Sequence, residues 1–510
     1  MSTNRRDFIK FVVAGAVASG CPVDLSLLAA PTEQNPEVDG EDNRICHQVR
    51  DGEVFTRPPA SARHDVVIVG GGVSGLTAAY LLRNRDFLIL EKEPHWGGNA
   101  YVMEFRGNTY ATGAAFLESN EVAFGLAKEI SLEPLPVNNW DGSIIKGEFV
   151  PDTWGEGLDK LPYSPSIREG FKKFKKDVLA MDAKTRAKEL FGIPFSDFMK
   201  GYPEEVKQWW DTYGPSNWGA VTDETAAAIG ILELQALAGA DRKDNRYTWP
   251  GGLGAITRRL AEILLPKYAD RMQVEASTVA VASEKNEVQV TYVHGGELKT
   301  VAAKAVIMAT PKFITRRIVQ GLPDKQSEAM QRIRYIPYPV VNLVFDKPVF
   351  NKGYDTWCPG NTFTDFVVAD WVVRNKAGYQ QKYNILSCYT PMPEEQRVSL
   401  LTEPGARRVA KNVLRDFQKL FSSSNIDPIE VHIYRRGHPL YMSTPGLFTQ
   451  SQPLVRVPLD RIFFANTDSE GPVSTTAGAI SAAQRAVREM EHRLAGKPAP
   501  RRQESVAVAG

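Results

Sequence analysis

The chain has 510 residues, 43% of them hydrophobic, and a formal net charge of +1. That length exceeds what one hydrophobic core usually supports, so two closely packed domains are expected, and a near-neutral chain without a large charge block offers nothing to nucleic acid. The His and Cys residues do not cluster and no His-Glu-x-x-His occurs, so no metal is predicted. Cys21, Cys46, Cys358 and Cys388 are too few for a disulfide framework. Cys358 and Cys388 can pair in an oxidising compartment, but free buried thiols are the expectation.

Residues 4–10, Asn-Arg-Arg-Asp-Phe-Ile-Lys, precede a mild apolar run from Phe11 to Gly20. The segment resembles a twin-arginine export signal, with Asn4 where Ser or Thr is usual. The run is too short to span a bilayer. Residues 1–30 are therefore read as a signal peptide, the translocase as a transient partner, and the mature protein as periplasmic or exported. Ala18-Ser19-Gly20-Cys21 also resembles a lipobox, which would place a lipid on Cys21 as the one membrane contact; the rival cleavage site is near Leu28-Ala29-Ala30. Residues 31–62, polar with several Pro and Glu, read as a linker.

The next unit organises the chain. Val66-Val67-Ile68-Val69 reads as a buried strand, Gly70-Gly71-Gly72-Val73-Ser74-Gly75 as a glycine turn, the segment to about Asn84 as a helix, and Phe87-Leu88-Ile89-Leu90 as a second strand ending at Glu91. Strand, glycine turn, helix, strand and acid together form a dinucleotide site with the pyrophosphate at a helix N-terminus. Gly70 permits the tight turn, Gly72 lets backbone approach phosphate, and Gly75 lets helix and strand pack closely. Val73 and Ser74 open the helix. Glu91, beside Lys92, follows Gly70 by 21 residues, where an acid accepts ribose hydroxyls and repels a 2′-phosphate.

The unit alone does not choose between NAD and FAD. Gly97-Gly98-Asn99 resembles the second glycine motif of the flavin-containing amine oxidase superfamily, which implies FAD. Asn99 stands at that family's Arg position. Gly107 to Phe116 resembles the next motif, where the resemblance lays Gly113, Ala114 and Ala115 against the isoalloxazine ring; the family's common Asp falls on Ala111. The turn at Pro250-Gly251-Gly252, Val279 at the adenine position, and the strand Lys304 to Met308 ending in Ala309-Thr310-Pro311 continue the resemblance in the family's order. Val288–Tyr292 and Leu298–Ala303 read as a separate β-hairpin around His294-Gly295-Gly296. Near the C-terminus, the resemblance implies that Asp468 contacts the ribityl or diphosphate region. It also turns the N-terminus of a helix from Ser474, Thr475 and Thr476 to about Leu494 toward the flavin.

The substrate side departs from the family. Its usual strand lysine falls on Val340, with Asn342 as the nearest polar residue, which favours a dehydrogenase over fast reaction with oxygen. His438 falls where monoamine oxidases tether flavin. It is a candidate for hydrogen bonding or proton handling, with a histidyl–flavin bond and a structural histidine as alternatives. Pro439 and Thr475 replace the aromatic cage. The candidate catalytic residues are His438, Asn342 and Thr475. Trp209, Trp210 and Trp218 read as core packing, and residues 404–422 as an amphipathic helix.

The expected fold is α/β, with a Rossmann-like FAD-binding domain from 63–121, 249–325 and 440–495 and an inserted α+β substrate domain from 122–248 and 326–439. Residues 496–510 read as a disordered tail. The expected function is hydride transfer from a small-molecule substrate to flavin N5, with an amine of polyamine type first. A desaturase or dehydrogenase of an apolar carotenoid- or porphyrinogen-like substrate and a non-catalytic flavin-binding module are the alternatives.

Overall fold

The first described elements lie in a segment whose composition reads as a linker. The computed structural model describes residues 35–421 and 426–498; the export motif, Cys21 and nearly all of the C-terminal tail lie outside these. Strand β1 (Glu37–Gly40) and helix α1 (Arg44–Arg50) occupy the first described stretch. β1 pairs in parallel with residues Glu430–Arg435, Glu37 opposite His432. The linker expectation is thereby corrected over residues 37–50. An edge strand of four residues with alternating exposure leaves almost no hydrophobic signal, and its partner lies far along the chain. Glu37, Glu430 and His432 meet at this pairing, and the His432 imidazole already hydrogen-bonds Glu430.

The dinucleotide unit follows as β2 (Ala62–Val69), helix α2 (Val73–Leu81) and β3 (Phe87–Leu90). The apolar halves of β2 and β3 are buried on both faces, which is why they read as continuous runs. They join a sheet with Met272–Gln273, β4 (Ala276–Glu284), β5 (Glu287–His294) and β6 (Glu297–Met308). Here the two short strands predicted over 298–303 and 304–308 form a single strand of 12 residues. Its first half pairs antiparallel with β5, and its last residues pair parallel with Ile462–Phe464. Its other side pairs parallel with β2. The change from solvent-side to fully buried neighbours along β6 is what makes it read as two elements. Helix α3 (Thr476–Leu494) and helix Gly254–Tyr268 pack against α2.

A second sheet runs in the order β1, Glu430–Arg435, β7 (Val340–Phe345), Asn384–Tyr389, Asp365–Val368, Asp355–Trp357, Gly142–Ile145, Glu148–Val150. Its strands alternate with period 2. Val341, Leu343, Phe345, Phe366, Val368 and Cys388 pack against the amphipathic helix Glu403–Leu420 through Ala410, Val413 and Phe417. Val340, Asp355, Trp357, Asp365, Val367 and Tyr389 face the opposite side, toward a cavity. Cys358 and Cys388 are free and buried. Trp154, Trp209, Trp210 and Trp218 share one core with helices Pro165–Leu179 and Ala227–Ala238.

The tightest constraint lies at the start of α2. A Cβ added at Gly75 would sit 1.8 Å from the Gly70 carbonyl oxygen, whereas one added at Gly72 would meet nothing closer than 3.7 Å. Gly75→Ala should therefore destabilise the chain by more than the roughly 1–3 kcal/mol of ordinary overpacking, while Gly72→Ala stays within about 1 kcal/mol of wild type. Urea melts of the two variants test this, and equal losses would contradict the packing described.

Candidate active site

A cavity of about 1380 Å³ lies between the two sheets. Small-molecule pockets span roughly 300–1,000 Å³, so this one has room for an extended cofactor and a substrate. At one end the wall is bare backbone. Gly70, at φ +105°, turns the chain out of β2. Gly72 is the N-cap of α2 and gives it no side-chain cap. The first amides of α2, at Val73 and Ser74, thus open on the cavity with the positive end of the helix dipole behind them. Gly75 lies behind the wall, as a packing glycine. The second glycine turn abuts the first: the Gly97 N–H donates to the Gly71 carbonyl at 3.0 Å. Gly98 forms the wall and Gly97 stands behind it. A Cβ on Gly98 would approach the Gly72 Cα to 3.1 Å. Such a groove, walled by glycine backbone and facing the uncapped first amides of α2, fits a diphosphate.

Glu91 is buried at the adjoining wall. Its oxygens accept the Gly71 N–H at 2.5 Å and the Glu93 N–H at 2.9 Å. Burial pushes its pKa upward against these bonds and the nearby Lys92. Each carboxylate oxygen keeps acceptor capacity for a ribose hydroxyl. Lys92 is committed elsewhere, to Glu93 and to the Asp42 carbonyl. Burial opposes its charge, but Glu41 and Glu93 outweigh that and raise its pKa. Glu41, Asn43 and Cys46, from the segment read as linker, complete this end. On β4 the wall is made by Ala276, Ser277 and Thr278, and the Thr278 hydroxyl is buried without a protein partner. Val279 sits one residue beyond, at a β-bulge and outside the wall.

Farther along, Gly113, Ala114 and Ala115 line the cavity as backbone. A Cβ on Gly113 would lie 2.0 Å from the Asn99 carbonyl oxygen, and the Tyr389 hydroxyl donates to the Gly113 carbonyl at 2.6 Å. Asn99 ties the second turn to the opposite loop by donating to the Pro439 carbonyl at 2.6 Å. Thr475 and Thr476 line the cavity at the start of α3. The Thr475 hydroxyl caps that helix, accepting the Gly478 N–H at 2.9 Å. His438 lines the cavity with its ring 4.5 Å from that of Phe313. Burial, with Arg397 second, lowers its pKa to about 4, so the imidazole is neutral at pH 7.

Two expectations fail here. Asp468 does not reach the cavity. It is fully buried, bound to the Lys312 ammonium at 2.6 Å, the Lys312 N–H at 2.8 Å and the Tyr335 hydroxyl at 2.6 Å. This ion pair clamps the turn before α3 to the helix after β6. Asn342 also lies off the cavity and accepts from the Ser387 hydroxyl at 2.6 Å. Two residues along a strand is about 7 Å, which carries Asn342 past the wall that Val340 forms and into the core.

The sequence reading missed the acids at the other end. Glu118, Glu121, Glu233, Asp355 and Asp365 all line the cavity. Asp355 Oδ1 is buried without a hydrogen-bond partner. Burial, then Asp141 and Asp365, push its pKa well above the ordinary carboxylate range. Burial raises Asp365, Glu233 and Glu121 to about 7 each. The nearest arginine, Arg246, is already paired with Asp141 and Asp244. A lone acid inside an apolar strand run, as in Thr364-Asp365-Phe366-Val367-Val368, is the signal that marks such a residue.

The model of the family described as flavin containing amine oxidoreductase matches residues 73–490. The chain is similar to oxidoreductase PigB of Serratia sp., 23% identical over 81% of this chain and 73% of that protein. It is similar to flavin-containing amine oxidase A of Equus caballus, 24% identical over 84% of this chain and 85% of that protein. The structure of putrescine oxidase bound to putrescine shares its fold, with a TM-score of 0.64 at 17% identity, covering 83% of this chain and 98% of that one. With a bare-backbone dinucleotide groove at one end of its cavity and a family match over most of its length, the chain belongs to the flavin containing amine oxidoreductase family, an FAD-dependent oxidoreductase by cofactor and chemistry.

Proposed function

We propose that the protein is an exported amine dehydrogenase or oxidase that takes a polyamine-like cation. The acidic wall carries this reading. Buried carboxylates without a paired cation are costly unless neutralised, and a bound alkylammonium supplies the missing charge. The amine oxidase and putrescine oxidase likenesses support the same class.

When bound, FAD supplies the hydride acceptor. The chain's own residues bind and orient. Asp355, Asp365 and Glu233 hold the charged part of the substrate, which leaves an uncharged amine at the reacting carbon. Trp218, Trp357 and Tyr389 pack against its methylenes and exclude water. Neutral His438 offers a hydrogen bond and adds no positive charge to repel the substrate. Val340, apolar at the wall, leaves no ammonium to hold a water there, which favours an acceptor other than oxygen. A second reading, an apolar polyene- or porphyrinogen-like substrate, draws on Pro439 and Thr475, which line the cavity without an aromatic cage. The Arg5-Arg6 motif supports export.

Spermidine or a related amine should bleach the flavin spectrum anaerobically, and a lipophilic polyene or porphyrinogen should not; the reverse pattern would move the site to the second reading. Amine affinity should rise from about pH 6 to about pH 8, by roughly tenfold in total across that range for each coupled proton, because acids with pKa near 7 become anionic over it. Asp365→Asn should weaken amine binding roughly tenfold or more and flatten that slope. Unchanged affinity would remove the wall from recognition. Changing Arg5 and Arg6 to Lys should abolish export, and continued export would refute that part of the reading.

A further inference from the structure

Arg436 follows the strand Glu430–Arg435 and enters the cavity wall with 2% of its surface exposed. Its guanidinium donates to the Thr112 carbonyl, to the Thr112 hydroxyl at 2.9 Å and to the Gly98 carbonyl at 3.1 Å. It also lies 4.2 Å over the Tyr434 ring. All of these neighbours are uncharged. Among the described residues no carboxylate comes within 4.0 Å of it. The three bonds occupy three of the five guanidinium donors.

A buried guanidinium lacking a counter-charge is a costly arrangement in an isolated protein. It becomes favourable once an anion enters the same cavity. The position of Arg436 selects which anion. Gly98, whose carbonyl it holds, belongs to the turn that abuts Gly72 and the uncapped first amides of α2. A Cβ on Gly113 would stand 3.5 Å from Arg436 Nη1, so the group lies between the second glycine turn and the backbone wall that follows it. Lys92, by contrast, is already matched by Glu93. Beside Arg436, His95 stacks on Tyr101 at 3.6 Å, and its Nε2 meets the Tyr434 hydroxyl at 3.1 Å. Burial first, and Arg436 among the charges, lower the His95 pKa, so that ring adds no second cation.

We propose that Arg436 is a cofactor-binding residue that supplies the positive charge for the FAD diphosphate, opposite the N-terminus of α2. The inference rests on FAD as the cofactor and is independent of the substrate. Its remaining Nε–H and Nη1–H donors are left to make charge-assisted hydrogen bonds to phosphate oxygens.

The test uses the full-length protein, stripped of FAD and reloaded. Arg436→Met should raise the FAD dissociation constant roughly tenfold to a hundredfold, the range for a lost charged hydrogen bond. ADP should lose its ability to compete with FAD in proportion, while adenosine, which lacks phosphate, competes as before. The melting midpoint of the FAD-free variant should match or exceed that of FAD-free wild type, because an unpaired buried charge has been removed. The FAD-loaded midpoint should fall. An FAD dissociation constant within about twofold of wild type would overturn the proposal. So would equal losses in the free and loaded forms, which would make Arg436 a brace for Gly98 and Thr112 alone. If the Met variant does not fold, Arg436→Lys carries the test: weakened FAD and ADP binding with unchanged adenosine binding supports the assignment, and an unchanged ratio of ADP to adenosine affinity overturns it.

Discussion

The structure depends on one close approach, that of helix α2 to the turn that precedes it. Gly75 lies against the Gly70 carbonyl with no room for a methyl group. That contact draws the helix N-terminus toward the end of β2. It also aligns Gly72 with Gly97 in a backbone bridge. A groove walled by main chain follows, because neither turn carries a side chain to fill it. The sheet behind is dictated by the same requirement: β2 must be buried on both faces, so β3, β6, α2 and α3 enclose it.

The two ends of the cavity leave different charges unmatched. At one end the uncapped start of α2 and the guanidinium of Arg436, which has no carboxylate within 4.0 Å among the described residues, lie along a wall that also carries Glu91. The other end collects Asp355, Asp365 and Glu233, whose nearest arginine is spent on other acids. A protein core avoids both situations unless ligands complete them. The FAD diphosphate would complete the first and the proposed cationic substrate the second, with Val340, Tyr389 and His438 lining the cavity as well. The second sheet makes this arrangement possible. Its period-2 alternation sends apolar residues to the amphipathic helix and sends the acids and aromatics inward.

Much of the fold is legible in the chain. The glycine turn, the apolar runs and the acid after β3 act over short separations, so their meaning survives without tertiary information. The Gly97-Gly98 pair and the helix opening at Thr476 are legible for the same reason. Asp468 was misread because a motif acid has no visible partner in sequence; Lys312, 156 positions away, takes its charge. Asn342 has the right face of its strand but lies beyond the wall. Val279 misses by one residue at a bulge. The strand Glu37–Gly40 is too short to announce itself.

The sequence by itself determined the dinucleotide groove and the alternation of the buried strands, since each depends on spacing within a local stretch and on glycine's freedom from a Cβ. Only the tertiary structure decided which charges stay unpaired. Arg436 and Asp355 look in sequence like any other arginine and aspartate. Whether a charge is neutralised depends on which side chains lie within a few ångströms after folding, and those come from segments hundreds of residues apart.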